Sequence, residues 1–253
     1  MYARHYGRRE KIELLGEQIK GFVRDAQLNS RRFFSGRDPG LFSKILETLT
    51  DSEEQGEIEV PDLKKRIRKL NEQDEIAKRY QLFGERWNYR QLVSVLSKKG
   101  DLAPDQNALT VINTYLELLE SRASERELLV TRLQTFENTL NEFLGHKTVA
   151  VNAKTGISIT TSEGDEIQED MLSSGEYHLL YLFVVALTTQ RRGTVIAIDE
   201  PELSMHLGWQ RKLIPALVQC ASSAQPQFIV ATHSPDITAS YPDSCEHLGS
   251  LDK

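Results

Sequence analysis

The chain has 253 residues, 39% hydrophobic and 27% charged, the balance of a soluble globular protein with room for one large domain or two modest ones. Its 31 Lys and Arg stand against 37 Asp and Glu, a formal net charge of −6, which argues against general binding to nucleic-acid phosphates by the chain as a whole. Two cysteines, Cys220 and Cys245, make neither a disulfide framework nor a Cys-x-x-Cys pair, so a reducing cytoplasm is expected.

The first residues include Arg4, Arg8 and Arg9 but no apolar run, so no secretory signal is expected. From residue 9 to residue 28, Ile12, Leu15, Ile19, Phe22 and Ala26 recur at spacings of three and four, which predicts a helix with one apolar stripe. Residues 29–40 read as a loop. Asp38 and Pro39 are suited to start a short helix over residues 41–49, and an acidic stretch follows over residues 51–59. Pro61 opens a further helix. The cations between Lys64 and Lys69 spread around it rather than forming one basic face. DNA contact there is the lesser alternative to a solvated surface. Tyr80, Phe83, Trp87 and Tyr89 read as a small satellite core, with base stacking as the other reading.

Residues 106–144 form the longest periodic stretch. Leu109, Ile112, Leu116, Leu119 and Ala123 make one stripe, and Leu129, Leu133, Phe136, Leu140 and Phe143 resume it. Ser121 to Arg126 interrupts the pattern, which predicts two helices or one long bent one. Too few heptads are sustained for a long coiled coil. Gly145 is placed to end the helix. Residues 148–151 and 157–160 then alternate as two strands about a turn at Lys154-Thr155-Gly156.

Three apolar elements in the last third carry polar groups at one end. Leu172-Ser173-Ser174-Gly175-Glu176 precedes the apolar run Tyr177 to Leu187, which is too short to span a bilayer and reads as a buried helix. A helix starting near Ser174 would present free N–H groups and partial positive charge, suited to phosphate. Val195 to Ile198 is a strand-like run ending in Asp199-Glu200-Pro201-Glu202, expected to be buried, with Glu200 held extended by Pro201. Phe228 to Ala231 is another, ending in Thr232-His233-Ser234-Pro235-Asp236. Sheets of α/β proteins place their ligands at such C-terminal strand tips.

These segments resemble the C-terminal half of an ABC-class ATPase head of the SMC, RecF and OLD kind. Leu172 to Glu176 is similar to the ABC signature, Thr194 to Glu200 to the Walker B strand, Pro201 to Gln210 to the D-loop, and His233 to the switch histidine. The Asp-Glu-Pro-Glu form, with His206 and Trp209-Gln210 after it, is most similar to OLD-like ATPases found in many bacterial anti-phage systems. Such relatives often carry two histidines and then a proline. This chain has Ser204 at the first histidine position, keeps His206, and has Leu207 in place of the proline. No Gly-x-x-x-x-Gly-Lys-Ser/Thr Walker A sequence occurs in it.

The resemblance implies an α/β fold in two parts. Residues 1–145 would be a mainly helical region, and residues 146–253 the signature, Walker B and switch-histidine half of a P-loop NTPase-type head with a mainly parallel sheet. It implies ATP and Mg²⁺ as cofactors. Asp199 would hold Mg²⁺, Glu200 would act as general base, and His233 would sense the γ-phosphate. Ser173, Ser174, Gly175 and Glu176 would contact the γ-phosphate of ATP held by an opposite subunit, in a homodimer or higher oligomer. The expected partner is a nuclease or toxin effector, with no membrane role. The absent Walker A suggests a fragment or one component of a split head, and leaves a non-hydrolysing scaffold as the alternative function.

Overall fold

The computed structural model describes residues 8–34, 43, 58–82, 89–167, 171–222 and 224–246. The chain divides into two compact units, residues 1–21 with 132–253, and residues 22–131. Helices α1 (Arg8–Phe34) and α4 (Gln106–Leu144) contribute residues to both. The sequence boundary at residue 145 marks a different change: among the described residues the regular elements up to Leu144 are helices, and the first strand starts at Lys147. No helix among the described residues is long and apolar enough to cross a membrane.

Helix α1 buries Leu15, Ile19, Phe22 and Val23. It runs on to Phe34, past the expected loop start at Asn29, because neither glycine nor proline breaks the chain between Gly21 and Gly36. The short helix expected over residues 41–49, with its Asp38-Pro39 start, lies outside the described residues apart from Ser43, as do Phe83 and Trp87 of the aromatic cluster.

In the unit of residues 22–131, helix α2 (Val60–Arg79) begins with Pro61 in its first turn. Its Leu63, Ile67 and Leu70 share a core with Leu109, Ile112 and Leu116 of α4, and with Tyr89 of the short helix α3 (Tyr89–Val95). Arg66 makes a two-pronged bond to Glu120, both N–O distances being 2.8 Å, so one cation of the Lys64–Lys69 run is drawn to α4.

Helix α4 is a single helix of 39 residues. The stripe does not stop at Ser121–Arg126: Ala123, Arg126 and Val130 are buried. Val130, rather than Leu129, carries it onward. What looked like a break is a buried charge. Arg126 Nη2 lies 2.6 Å from Asp74 Oδ1, and the Tyr89 hydroxyl donates to Asp74 Oδ2 at 2.6 Å. Burial and the hydrogen bond to Asp74 hold the Tyr89 phenol well above its ordinary range.

In the other unit, Leu133, Phe136 and Leu140 of α4 are fully buried. Strands β1 (Lys147–Asn152) and β2 (Gly156–Thr161) form an antiparallel hairpin. The free edge of β1 is satisfied by α4 side chains. Asn141 both accepts from the Val149 N–H and donates to the Val149 carbonyl, at 2.7 and 2.9 Å, and Glu137 accepts from the Val151 N–H at 2.6 Å. The hairpin turn also presses on α1. Gly156 has φ +85°, and a Cβ there would stand 2.2 Å from the Gly16 carbonyl oxygen, so only glycine fits.

Helix α5 (Ser174–Thr188) is buried along most of its length. Arg132 Nη2 donates to the carbonyls of Leu187 and Thr189 at 2.5 and 3.0 Å, closing its C-terminal end with a cation. Phe143 meets Phe183 of α5 edge-on at 5.7 Å and Trp209 of α6 (Leu207–Cys220) at 6.1 Å. Strands β3 (Val195–Asp199) and β4 (Gln227–Ala231) pair in parallel, with Asp199 level with Ala231.

The expected burial of β3 is half right. Ile196 and Ile198 are buried, but Val195 and Ala197 are exposed, as are Ile229 and Ala231 of β4. The alternation leaves one apolar face of this pair uncovered.

Removing Arg126 isolates a buried carboxylate. Arg126→Met is expected to cost about 3–5 kcal/mol, and Asp74→Asn added to it to recover much of the loss. Urea denaturation reads both; a single variant as stable as the wild type would show that the pair holds nothing together.

Candidate functional site

The parallel pairing brings the two polar strand ends to one edge. The Glu200 N–H donates to the Ala231 carbonyl at 2.8 Å, extending the ladder one residue past Asp199. The chain then reverses. Leu203 N–H bonds back to the Glu200 carbonyl at 3.0 Å, and Met205 N–H to that of Glu202 at 2.9 Å.

Glu200 is not extended as expected. Its φ is +46°, and that of Ser204 is +62°. Pro201 does disfavour the right-handed helical region for the residue before it. The tight reversal, closed by the Leu203 bond, takes Glu200 to positive φ rather than to the strand region. Non-glycine residues at such angles are uncommon and gather where surrounding structure over-determines them.

Glu200 Oε1 lies 4.0 Å from His233 Nε2. The His233 side chain is 91% exposed and that of Glu200 47%. Asp199 is also exposed, and no side chain among the described residues engages it. A free carboxylate at a strand tip is a hard oxygen donor of the kind Mg²⁺ prefers, so this edge suits the ion that the Walker B resemblance implies. No cluster of three or more metal-ligating side chains occurs among the described residues.

Ser173 to Glu176 sits at the start of α5 as a capping box. Ser173 Oγ accepts from the Glu176 N–H at 3.2 Å, and Glu176 Oε2 accepts from the Ser173 N–H at 2.7 Å. The serine oxygen is used as an acceptor, which leaves its O–H proton to donate. Lys147 Nζ joins the box, 2.8 Å from Glu176 Oε2 and 3.1 Å from the Met171 carbonyl. Burial pushes the Glu176 carboxyl up, but the bonds from Lys147 and from Ser173 outweigh it and hold the group below its ordinary value of 4.5.

Gly175 is pressed against the strand-tip turn. A Cβ on it would stand 2.3 Å from the Ser204 carbonyl oxygen. His178, one turn on, has Nδ1 3.4 Å from the Leu203 carbonyl. The structure therefore brings Glu200 and His233 together, places Asp199 level with Ala231 at the end of the strand pair, and seats Gly175 against the turn that Glu200 begins.

Glu202 had no role of its own in the sequence reading beyond its place in the D-loop segment. Its Oε1 accepts from the His233 N–H at 2.8 Å, while Oε2 is shut off from solvent without a hydrogen bond of good geometry. Burial pushes this carboxyl up, yet its own N–H, the Thr232 hydroxyl and the N–H groups of His233 and Ser234 pull it further down. The signal available in sequence was the second acid of Asp-Glu-Pro-Glu. Below it, Ser234 Oγ donates to Gln210 Oε1 at 2.6 Å, and Arg211 Nε to Asp236 Oδ1 at 2.6 Å. His206 caps α6, its Nδ1 accepting from the Gly208 N–H at 3.1 Å.

A carboxyl held below its ordinary value stabilises the fold above that value, and the contribution is lost as pH falls through the lowered one. Lys147→Met should therefore raise the midpoint of acid unfolding, because Glu176 then protonates at a higher pH. An acid titration followed by circular dichroism checks this, and an unmoved midpoint would remove Lys147 from the box.

Comparison with known proteins adds one match. No curated protein matches the chain. A family model described as "AAA domain, putative AbiEii toxin, Type IV TA system" matches residues 8–239, a span that holds both strand tips, the capping box and most of both units. The chain belongs to this AAA-domain family.

Proposed function

We propose that the chain is a component of an ABC-type, OLD- and SMC-like ATPase head that pairs around Mg-ATP to control a nuclease or toxin partner. The observation that carries this is the 4.0 Å approach of Glu200 to His233 at the tips of two parallel strands, with a free Asp199 beside them. The family's toxin–antitoxin description agrees with a role in a two-component defence system.

Bound Mg-ATP would supply the transferable phosphoryl group and the cation that neutralises its charge. Asp199 would hold the cation, through its water shell or directly. Glu200 would orient and deprotonate the attacking water, a role worth roughly 10²–10⁴-fold in rate. His233, exposed and facing Glu200, would donate to the phosphate. Ser173 and the first-turn N–H groups of α5 would meet the phosphate held by a second copy.

Two surface features fit this assembly. Met171, Leu203 and Leu207 are each more than half exposed around the capping box and the turn beneath it, an apolar rim suited to a second copy. Val195, Ala197, Ile229 and Ala231 leave an open apolar face on a parallel strand pair. Parallel strands are ordinarily covered on both faces. A phosphate-cradling lobe with a Walker A loop, from another segment or another chain, is the proposed cover. A scaffold without hydrolysis is the second reading, favoured by the absent Gly-Lys-Ser/Thr loop.

In the assembled ATPase, Glu200→Gln should abolish turnover while ATP stays bound, and Asp199→Ala should weaken Mg-ATP binding itself. Steady-state hydrolysis and nucleotide binding separate the two. Equal, measurable turnover by Glu200→Gln and wild type removes the catalytic assignment of Glu200, and a wild-type assembly without turnover leaves the scaffold.

Pairing in trans has its own test. Mixing a Ser173→Arg copy with an Asp199→Ala copy puts both lesions in one site and none in the other, so about half the activity per mixed dimer should return by the symmetry of an isologous pair. A verified mixed dimer with no recovery counts against the trans arrangement.

A further inference from the structure

The ring of His233 is 91% exposed, and among the described residues Glu200 is its ion-pair partner, at 4.0 Å. So open a side chain is aimed by its main chain. That main chain is gripped from the turn in which Glu200 itself lies. Glu202, two residues after Glu200, accepts from the His233 N–H at 2.8 Å through Oε1. The turn is closed by the Leu203 and Met205 bonds to Glu200 and Glu202. One reversal of the chain thus carries both the carboxylate that faces the imidazole and the carboxylate that holds its backbone.

We propose that Glu202 is a positioning residue, whose carboxylate fixes the His233 main chain and so sets the imidazole at its distance from Glu200. The inference rests on the ATPase reading of Glu200 and His233, and adds the residue that ties them. The carboxylate is well suited to the task. Oε1 carries the bond to the His233 N–H while Oε2 is shut off from competing water, and the surrounding N–H and hydroxyl groups hold the carboxyl below its ordinary value despite burial. A charged acceptor makes a stronger bond to an N–H than a neutral one does.

Thr232 Oγ1 accepts from the Ser234 N–H at 3.0 Å, a bond between the residues on either side of His233 that does not touch its N–H, and the other contacts of the loop act further along. Ser234 Oγ donates to Gln210 and also caps the single-turn helix α7 (Pro235–Thr238), accepting from the Ile237 N–H. Asp236 takes Arg211. These fix the exit of the loop, whereas Glu202 holds His233 itself. When Glu202 is lost, Ser234 keeps its bonds to Gln210 and to the Ile237 N–H, so α7 stays anchored while the His233 N–H loses its acceptor.

Two readouts test this. In the assembled ATPase, Glu202→Ala should lower kcat by about 10²-fold, the size of effect a misplaced reacting group produces, with KM for ATP little changed. Glu202→Gln keeps a carbonyl that accepts from the His233 N–H, and should stay within about fivefold of wild type, since a neutral acceptor loses part of the bond. In this chain alone, hydrogen exchange followed by NMR should show the His233 amide opening about tenfold faster in Glu202→Ala than in wild type, with Glu202→Gln close to wild type. Full turnover in the alanine variant, equal loss in both variants, or an unchanged His233 amide would each overturn the proposal. A wild-type assembly that never hydrolyses ATP defeats the ATPase reading instead, and the exchange experiment still decides whether Glu202 holds His233.

Discussion

Everything at the candidate site depends on how closely the backbone of Ser204 approaches Gly175. A Cβ at Gly175 would stand 2.3 Å from the Ser204 carbonyl oxygen, so the start of α5 and the turn after β3 meet main chain to main chain. Such contact needs glycine on one side. It also needs the turn to be stiff, and residues 200–205 are stiff for a stated reason. Glu200 and Ser204 sit at positive φ, a strain of about 1–3 kcal/mol each when the residue is not glycine. The bonds from Glu200 to Ala231, Leu203 to Glu200 and Met205 to Glu202 hold them there.

From that turn the rest of the unit can be followed outward. On one side, Glu202 reaches the His233 main chain and Glu200 faces its ring. On the other, Gly175 and His178 tie α5 to Ser204 and Leu203. Helix α5 is in turn fixed at both ends, by Lys147 through the capping box and by Arg132 at its last carbonyls. Lys147 begins β1 and Arg132 lies on α4, while Glu137 and Asn141 of α4 pair the open edge of β1. Polar bonds at the element ends thus orient what apolar burial alone would leave free to slide. Hydrophobic contact is non-directional, and bonds of this kind supply the direction.

The unit of residues 22–131 follows a different logic. It is built from α2, α3 and parts of α1 and α4, and its mainly apolar core encloses the charged pair Asp74 and Arg126 with the Tyr89 hydroxyl. A buried ion pair is a weak source of stability and a strong penalty when halved. Its effect here is to hold one register of α2 against α4, since sliding by one turn would part Arg126 from Asp74.

The sequence by itself determined the elements whose signal is local. Periods of three and four marked α1 and α4, Pro61 marked the start of α2, and alternation about Lys154-Thr155-Gly156 marked the hairpin. Leu172 to Glu176 before an apolar run marked the start of α5, and apolar runs ending in Asp199-Glu200 and Thr232-His233 marked two strands with chemistry at their tips. Tertiary structure decided what depends on a distant partner. Arg126 looked like a break in a stripe because its partner, Asp74, is 52 residues away in the chain. β3 looked fully buried because an apolar run records each residue's preference, not which faces find a cover. Glu200 looked extended because the proline rule sees one neighbour, whereas the reversal and its closing bonds set the angle. Glu202 looked like one more acid in a loop, since a carboxylate's task is fixed by the N–H groups it meets, and those lie 31 residues further on in His233.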